Sequence, residues 1–281
     1  LYGTPESNSL TLLRKYFEKY PEDAAKVQLN IKGCTAVGKM EPDGSKEGVF
    51  RDVQRAIQQL PPHIKKIDMF EPARVDKSVP LEETMMALKE CQDKGWIGGV
   101  ALSEASGVTI RNASRFVKIL AVEYELGLFT TNALTNGVAH ACSELDIPIH
   151  AYGTFCHGLL TQDIKSFDDL DKDDFRRVLP RFQGENLEAN LKLVNAVRKL
   201  AEKNGCTPGQ VATGWALALS KSEGLPKIIP IPGASKADRV RENGKVIEMT
   251  PVDMKEIDQL LSQCEVKGNR YPDFTTQYLD E

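Results

Sequence analysis

The chain has 281 residues, 41% of them hydrophobic, enough to bury a large core in one barrel or two modest domains. Its 36 basic and 40 acidic side chains leave a formal charge of -4, which argues against a dedicated nucleic-acid or anionic-membrane surface. No apolar run approaches the ~20 residues that a membrane helix needs, and no basic-then-apolar leader opens the chain, so a cytoplasmic protein is expected.

The six cysteines, Cys34, Cys91, Cys142, Cys156, Cys206 and Cys264, are widely spread, with no C-x-x-C pair and no histidines at metal-ligand spacing. That pattern predicts reduced thiols and no metal site. The chain opens at Leu1 without an initiator methionine, and a missing upstream segment is expected.

Short apolar runs alternate with amphipathic stretches along the whole chain. The spacing predicts a helix over Glu6–Tyr20, opened by Pro5, and a strand at Val27–Ile31. A helix near Glu47–Gln59 ends before Pro61-Pro62, and the strand Ile67–Glu71 follows. After Pro80, apolar residues spaced three and four apart predict a helix that stops at Gly95.

Strand Gly98–Leu102, helix Gly107–Ile119, strand Leu120–Tyr124, helix Asn132–Leu145 and strand Pro148–Tyr152 continue the beat. Residues Ile164–Pro180 are charged and punctuated by phenylalanine, which suits an excursion at a barrel mouth. Helices Asn186–Asn204 and Thr207–Ser222, strand Lys227–Pro230, and helices Lys236–Asn243 and Pro251–Gln263 precede a polar tail.

Six strands, each followed by a helix, fit an α/β parallel sheet. A doubly wound sheet usually carries G-x-G-x-x-G after its first strand, and Ile31-Lys32-Gly33-Cys34 does not match. The expectation is therefore a (β/α)8 barrel lacking its first β-α-β segment, with residues 1–281 forming one N-terminally incomplete domain.

The segment I-P-I-P-G-A-S-K-A-D-R-V-R-E-N carries the most specific chemistry. Ser235 can cap a helix beginning at Lys236, whose N–H groups and dipole favour a phosphate, while Lys236 and Arg239 add positive charge. A capped surface helix with solvated charges fits the same pattern.

This segment resembles the aldo-keto reductase signature in which Ser, Lys and Arg hold the 2′-phosphate of NADPH and a Glu-Asn pair contacts adenine. The resemblance implies those roles for Ser235, Lys236, Arg239, Glu242 and Asn243, and NADP(H) as cofactor. It extends over the whole chain. L-Y-G-T-P-E-S-N and V-Q-L-N-I-K-G are similar to the family's tyrosine and lysine segments, implying a catalytic pair of Tyr2 and Lys32. The chemistry suits such a pair. A phenol with a pKa near ~10 can protonate the developing alkoxide, and an ammonium beside it stabilises the phenolate left behind.

G-G-V-A-L-S-E-A-S resembles the strand that holds the nicotinamide amide, implying Ser103 and Glu104. Glu123 stands where the family usually has glutamine; as a carboxylate it can only accept a hydrogen bond. A solvated barrel rim is the alternative for both glutamates. I-P-I-H-A-Y-G-T-F-C-H-G-L-L-T is similar to the family's seventh strand and pyrophosphate loop. By that likeness Tyr152 stacks on the nicotinamide, and Gly153, Thr154, Phe155, Gly158 and Leu159 contact ribose and phosphates. His157 is expected to be a loop residue rather than a catalyst, and Trp96 and Trp215 to be packing residues.

One segment departs from the common pattern. I-D-M-F-E-P-A-R-V-D places Ala73 where most of the family has histidine, as in the fungal pyridoxal reductases, and leaves Arg74, Glu71 or water as substitutes. The resemblance implies reduction of an aldehyde, pyridoxal to pyridoxine, by a monomer or weak oligomer with no nucleic-acid or membrane partner. A general aldehyde or ketone reductase of the family, and a catalytically weak NADP(H)-binding regulatory subunit or fragment, remain as alternatives.

Overall fold

The computed structural model describes residues 3–4, 6–36, 39, 41–162 and 164–279. Two compact units divide the chain between Glu123 and Tyr124; Tyr278 and Leu279 belong to the first.

The first unit opens with α1 (Ser9–Lys19). It starts three residues later than the sequence predicts, because Asn8 Oδ1 accepts from the Leu10 and Thr11 N–H groups and fixes the start there. Pro5, expected to open this helix, lies outside the described residues. Strand β1 (Asn30–Gly33), α2 (Lys46–Gln59) and β2 (Met69–Pro72) follow, then α3 (Leu81–Asp93) and β3 (Val100–Ser103). The helix α4 covers only Gly107–Ala113, because Ser114 Oγ turns back onto the Ile110 carbonyl and the chain leaves the helix in turns. Strand β4 spans Ile119–Glu125 and crosses the division.

Within the first unit β1 to β4 pair in parallel in chain order. Lys32 stands opposite Glu71 and Ser103 opposite Glu123. Because side chains alternate along a strand, one face carries Met69 and Glu71, Ala101 and Ser103, Ala121 and Glu123. Met69, Ala101 and Ala121 form a buried apolar floor. The polar residues sit two positions further on, at the carboxyl ends of the strands. Val49, Val53 and Ala56 of α2 and Met85, Leu88 and Cys91 of α3 recur at helical spacing and are buried.

The second unit holds the end of β4 and α5 (Val138–Glu144). The helix expected over Asn132–Leu145 is instead a 3₁₀ turn at Asn132–Leu134 followed by α5, with Gly137 at φ +91° interrupting them. Strand β5 (Ile149–Tyr152) precedes a stretch of three 3₁₀ turns where the excursion is expected. Then come α6 (Gly184–Lys203), α7 (Pro208–Leu219), β6 (Ile228–Pro230), α8 (Ala237–Gly244), α9 (Pro251–Gln263) and the short α10 (Asp273–Thr276) in the tail. β5 and β6 pair in parallel, Ile149 opposite Ile228. Trp215 of α7 is buried in this unit. Among the described residues no helix is long and apolar enough to cross a membrane.

Candidate active site

In the first unit, the carboxyl ends of β1 to β4 bring four polar side chains together. The Lys32 ammonium donates to Glu123 Oε1 at 2.6 Å and to Ser103 Oγ at 3.0 Å, and it lies 3.3 Å from Glu71 Oε1. Asn30, two residues before Lys32 and on the same face, donates from Nδ2 to Glu71 Oε2 at 2.7 Å. Glu71 is only 1% exposed, whereas Glu123 retains 17%. Burial pushes the Glu71 carboxyl up to about 8; Lys32 opposes that rise and the nearby Glu123 adds to it.

The structure thus gathers Lys32, Ser103 and Glu123, which the resemblance divides between catalysis and cofactor binding. Tyr2, the expected partner of Lys32, lies outside the described residues. Glu104 is buried and adopts φ +51°, a left-handed conformation costly for a residue with a side chain, rather than standing on a solvated rim. Its N–H donates to the Glu123 carbonyl at 2.9 Å. Of the substitutes for the histidine replaced by Ala73, Arg74 folds back onto the Ala73 carbonyl, while Glu71 faces the lysine.

A second cluster lies in the second unit, on the loop after β5. Tyr152 shares a 3.1 Å hydroxyl contact with Tyr271 of the tail. Gly153 has φ +69°, and a β-carbon there would stand 2.8 Å from Glu125 Cγ. Cys156, His157 and Gly158 are three consecutive residues with positive φ, which coils the loop tightly at a cost borne by the two residues with side chains. Arg176 clamps it, donating to the His157 carbonyl at 3.0 Å and to Gln162 Oε1 at 2.8 Å. Phe155 and Gly158 are half-buried and Leu159 is buried. Thr154 Oγ1 is buried without a hydrogen-bond partner among the described residues.

His157 packs edge-on to Phe175 and Tyr271, and burial lowers its pKa, so it stays neutral near pH 7 as a packing residue of the loop.

The segment after β6 differs from the expected cap. Helix α8 begins at Ala237, and Lys236 rather than Ser235 occupies the N-cap, with no side-chain cap bond. Ser235, Lys236 and Arg239 are exposed, while Glu242 and Asn243 are half-buried. Arg239 pairs with Glu242 at 2.9 Å and donates to the Thr161 carbonyl at 3.0 Å, so this segment is tied directly to the loop after β5.

One polar cluster escaped the sequence. Glu125, 2% exposed, faces both Arg181 at 3.4 Å and Arg270 at 3.3 Å. Thr130 Oγ1 donates to Glu125 and accepts from Arg181. No local spacing links positions so far apart, and only folding shows that they meet. Among the described residues, no group of three or more His, Cys, Asp or Glu could hold a metal ion.

The profile described as Aldo/keto reductase family matches residues 1–262. The chain is 39% identical to "Probable pyridoxal reductase 2" of Schizosaccharomyces pombe, over 96% of this chain and 82% of that protein. It is 37% identical, over 73% of this chain and 60% of the relative, to that organism's aldo-keto reductase yakc, whose name specifies NADP(+). Among solved structures, the glycerol dehydrogenase of Gluconobacter oxydans superposes with a TM-score of 0.80 at 22% identity, over 93% of this chain and 79% of its own. That likeness shows the fold, a (β/α) barrel of the aldo-keto reductase type. With a matching profile over most of its length, the chain belongs to the aldo/keto reductase family.

Proposed function

We propose that the protein reduces pyridoxal to pyridoxine with NADPH, Tyr2 serving as general acid and Lys32 tuning it. The observation that carries this reading is the Lys32 ammonium held by Ser103 and Glu123 at the carboxyl ends of parallel strands. A positive charge anchored at that end of the sheet suits a carbonyl whose oxygen becomes negative as it is reduced. The name of the S. pombe relative supports the choice of pyridoxal.

The residues present fit an anionic dinucleotide. Thr154 offers a buried, unpartnered hydroxyl, and exposed Ser235 and Lys236 sit on the segment that Arg239 ties to the same loop. These residues, with Tyr152, Gly153, Phe155, Gly158, Leu159, Glu242 and Asn243, would hold NADP(H). When bound, the cofactor supplies the hydride. The protein's part is to orient the aldehyde, exclude water and deliver the proton.

Adding pyridoxal to the protein with NADPH should consume the nucleotide and form pyridoxine in equal amount. Turnover of other aldehydes but not pyridoxal would move the assignment to a general reductase. Tight NADPH binding without any turnover would favour the regulatory reading.

A further inference from the structure

Lys32 is shared by two unlike carboxyls. Glu123 takes the short contact of 2.6 Å and reaches solvent, whereas Glu71 stands at 3.3 Å and is closed off from water. Both carboxyls face the same ammonium, so the charge of Glu123 raises the cost of ionising Glu71. Charge counting points the same way. One ammonium cannot neutralise two carboxylates in so dry a place, and the more deeply buried acid holds its proton longer.

Building on the reductase reading, we propose that Glu71 is a protonated positioning acid for Lys32, with the Glu123 carboxyl holding the ammonium at shorter range. The groups facing Glu71 are consistent with this. Lys32 and Asn30 reach it from β1; Glu123 of β4 and Ser103 of β3 bond the lysine, and Met69, Ala101 and Ala121 below are apolar. Asn30 Nδ2 is a neutral donor that serves either form of the acid and aligns it.

The consequence concerns the charge available for catalysis. While Glu71 is neutral, it adds no negative charge to offset the lysine field. Once it ionises, a second negative charge stands 3.3 Å from the ammonium and cancels the field that stabilises a developing phenolate or alkoxide. Glu71 touches neither substrate nor cofactor in this scheme; it acts through Lys32.

Difference infrared spectroscopy of the full chain labelled with carbon-13 glutamate tests this without substrate or cofactor. A protonated-carboxyl band should persist at neutral pH, vanish as pH rises through about 8, and be missing in Glu71→Gln. No such band at neutral pH, or one that survives in Glu71→Gln, overturns the proposal. The wild-type titration decides the matter even should the variant fail to fold.

The pH profile of kcat/KM gives a second readout. Wild type should lose about tenfold per pH unit above its alkaline limb, and Glu71→Gln should shift or remove that limb. A curve lowered throughout with its shape intact marks a merely structural residue and sinks the positioning role. A titrating band in a protein that reduces no aldehyde defeats the reductase reading and upholds the protonated Glu71. Turnover without the band defeats Glu71 alone.

Discussion

Ser103 on β3 stands opposite Glu123 on β4 because the pairing slips by one residue beneath them: Val100 pairs with Ile119, yet Leu102 pairs with Val122. In unbroken register Val122 would occupy that place and Glu123 would turn to the other face. The bulge therefore aims the carboxylate that Lys32 grips at 2.6 Å. Replacing Lys32 by Met leaves Glu123 and Glu71 facing one another without a cation. We expect kcat/KM for an aldehyde to fall about 100-fold or more. Stability should fall by about 3 kcal/mol in urea titrations. A normally active Lys32→Met protein would disconnect this cluster from the chemistry.

Glu71 also sets a direction for stability against pH. Its pKa is raised on folding, to about 8, so between the ordinary glutamate range and that value the folded state binds more protons than the unfolded one. Its contribution is fully present at acid pH and declines as pH climbs through that window. Melting temperatures of wild type should drop relative to Glu71→Gln across the window. Parallel curves for the two proteins would contradict the assignment.

Glu125 lies between Arg181 and Arg270; Glu125 and Arg181 are buried and Arg270 is half-buried. Glu125→Gln leaves two guanidinium groups facing a neutral amide. The expected cost is about 3–5 kcal/mol, measurable by chemical denaturation. A loss below 1 kcal/mol, about the size of an exposed pair, would show that the cluster is solvated in solution.

At Gly153 the backbone has φ +69° and Glu125 Cγ occupies the space a methyl group would need. Gly153→Ala should therefore destabilise the protein by about 1–3 kcal/mol and weaken NADPH binding together. Binding that survives a measurable loss of stability would separate the loop's conformation from cofactor recognition.

Arg239 adds positive charge to the segment after β6 beside Lys236, and Glu242 offsets part of it. If it faces the 2′-phosphate, Arg239→Ala should raise the Kd for NADPH about tenfold or more and leave NADH nearly unchanged. Fluorescence titration with both nucleotides checks this, since an equal loss for each would assign Arg239 to the loop contact with Thr161 instead.

The alternation of strands and helices was written in local spacing, as was α9, whose bounds agree with the prediction because Thr250 and Asp253 form a reciprocal cap within four residues. The phosphate-type segment and Lys32 were legible for the same reason, each being a short run of neighbours in the chain. Helix α8 starts one residue later than predicted, at Ala237, because capping depends on backbone angles that residue identity only biases.

What lies across strands had to wait for folding. Nothing in the run Met69 to Pro72 says that Glu71 is sealed from water or which lysine it meets. That follows from strand register, and register depends on a bulge one residue long. The meeting of Glu125 with Arg181 and Arg270 is likewise a product of chain return over many residues. Local sequence determines which face a side chain takes on its own element. Only tertiary structure determines what stands opposite and how dry the space is, and those two quantities set the charge of Glu71.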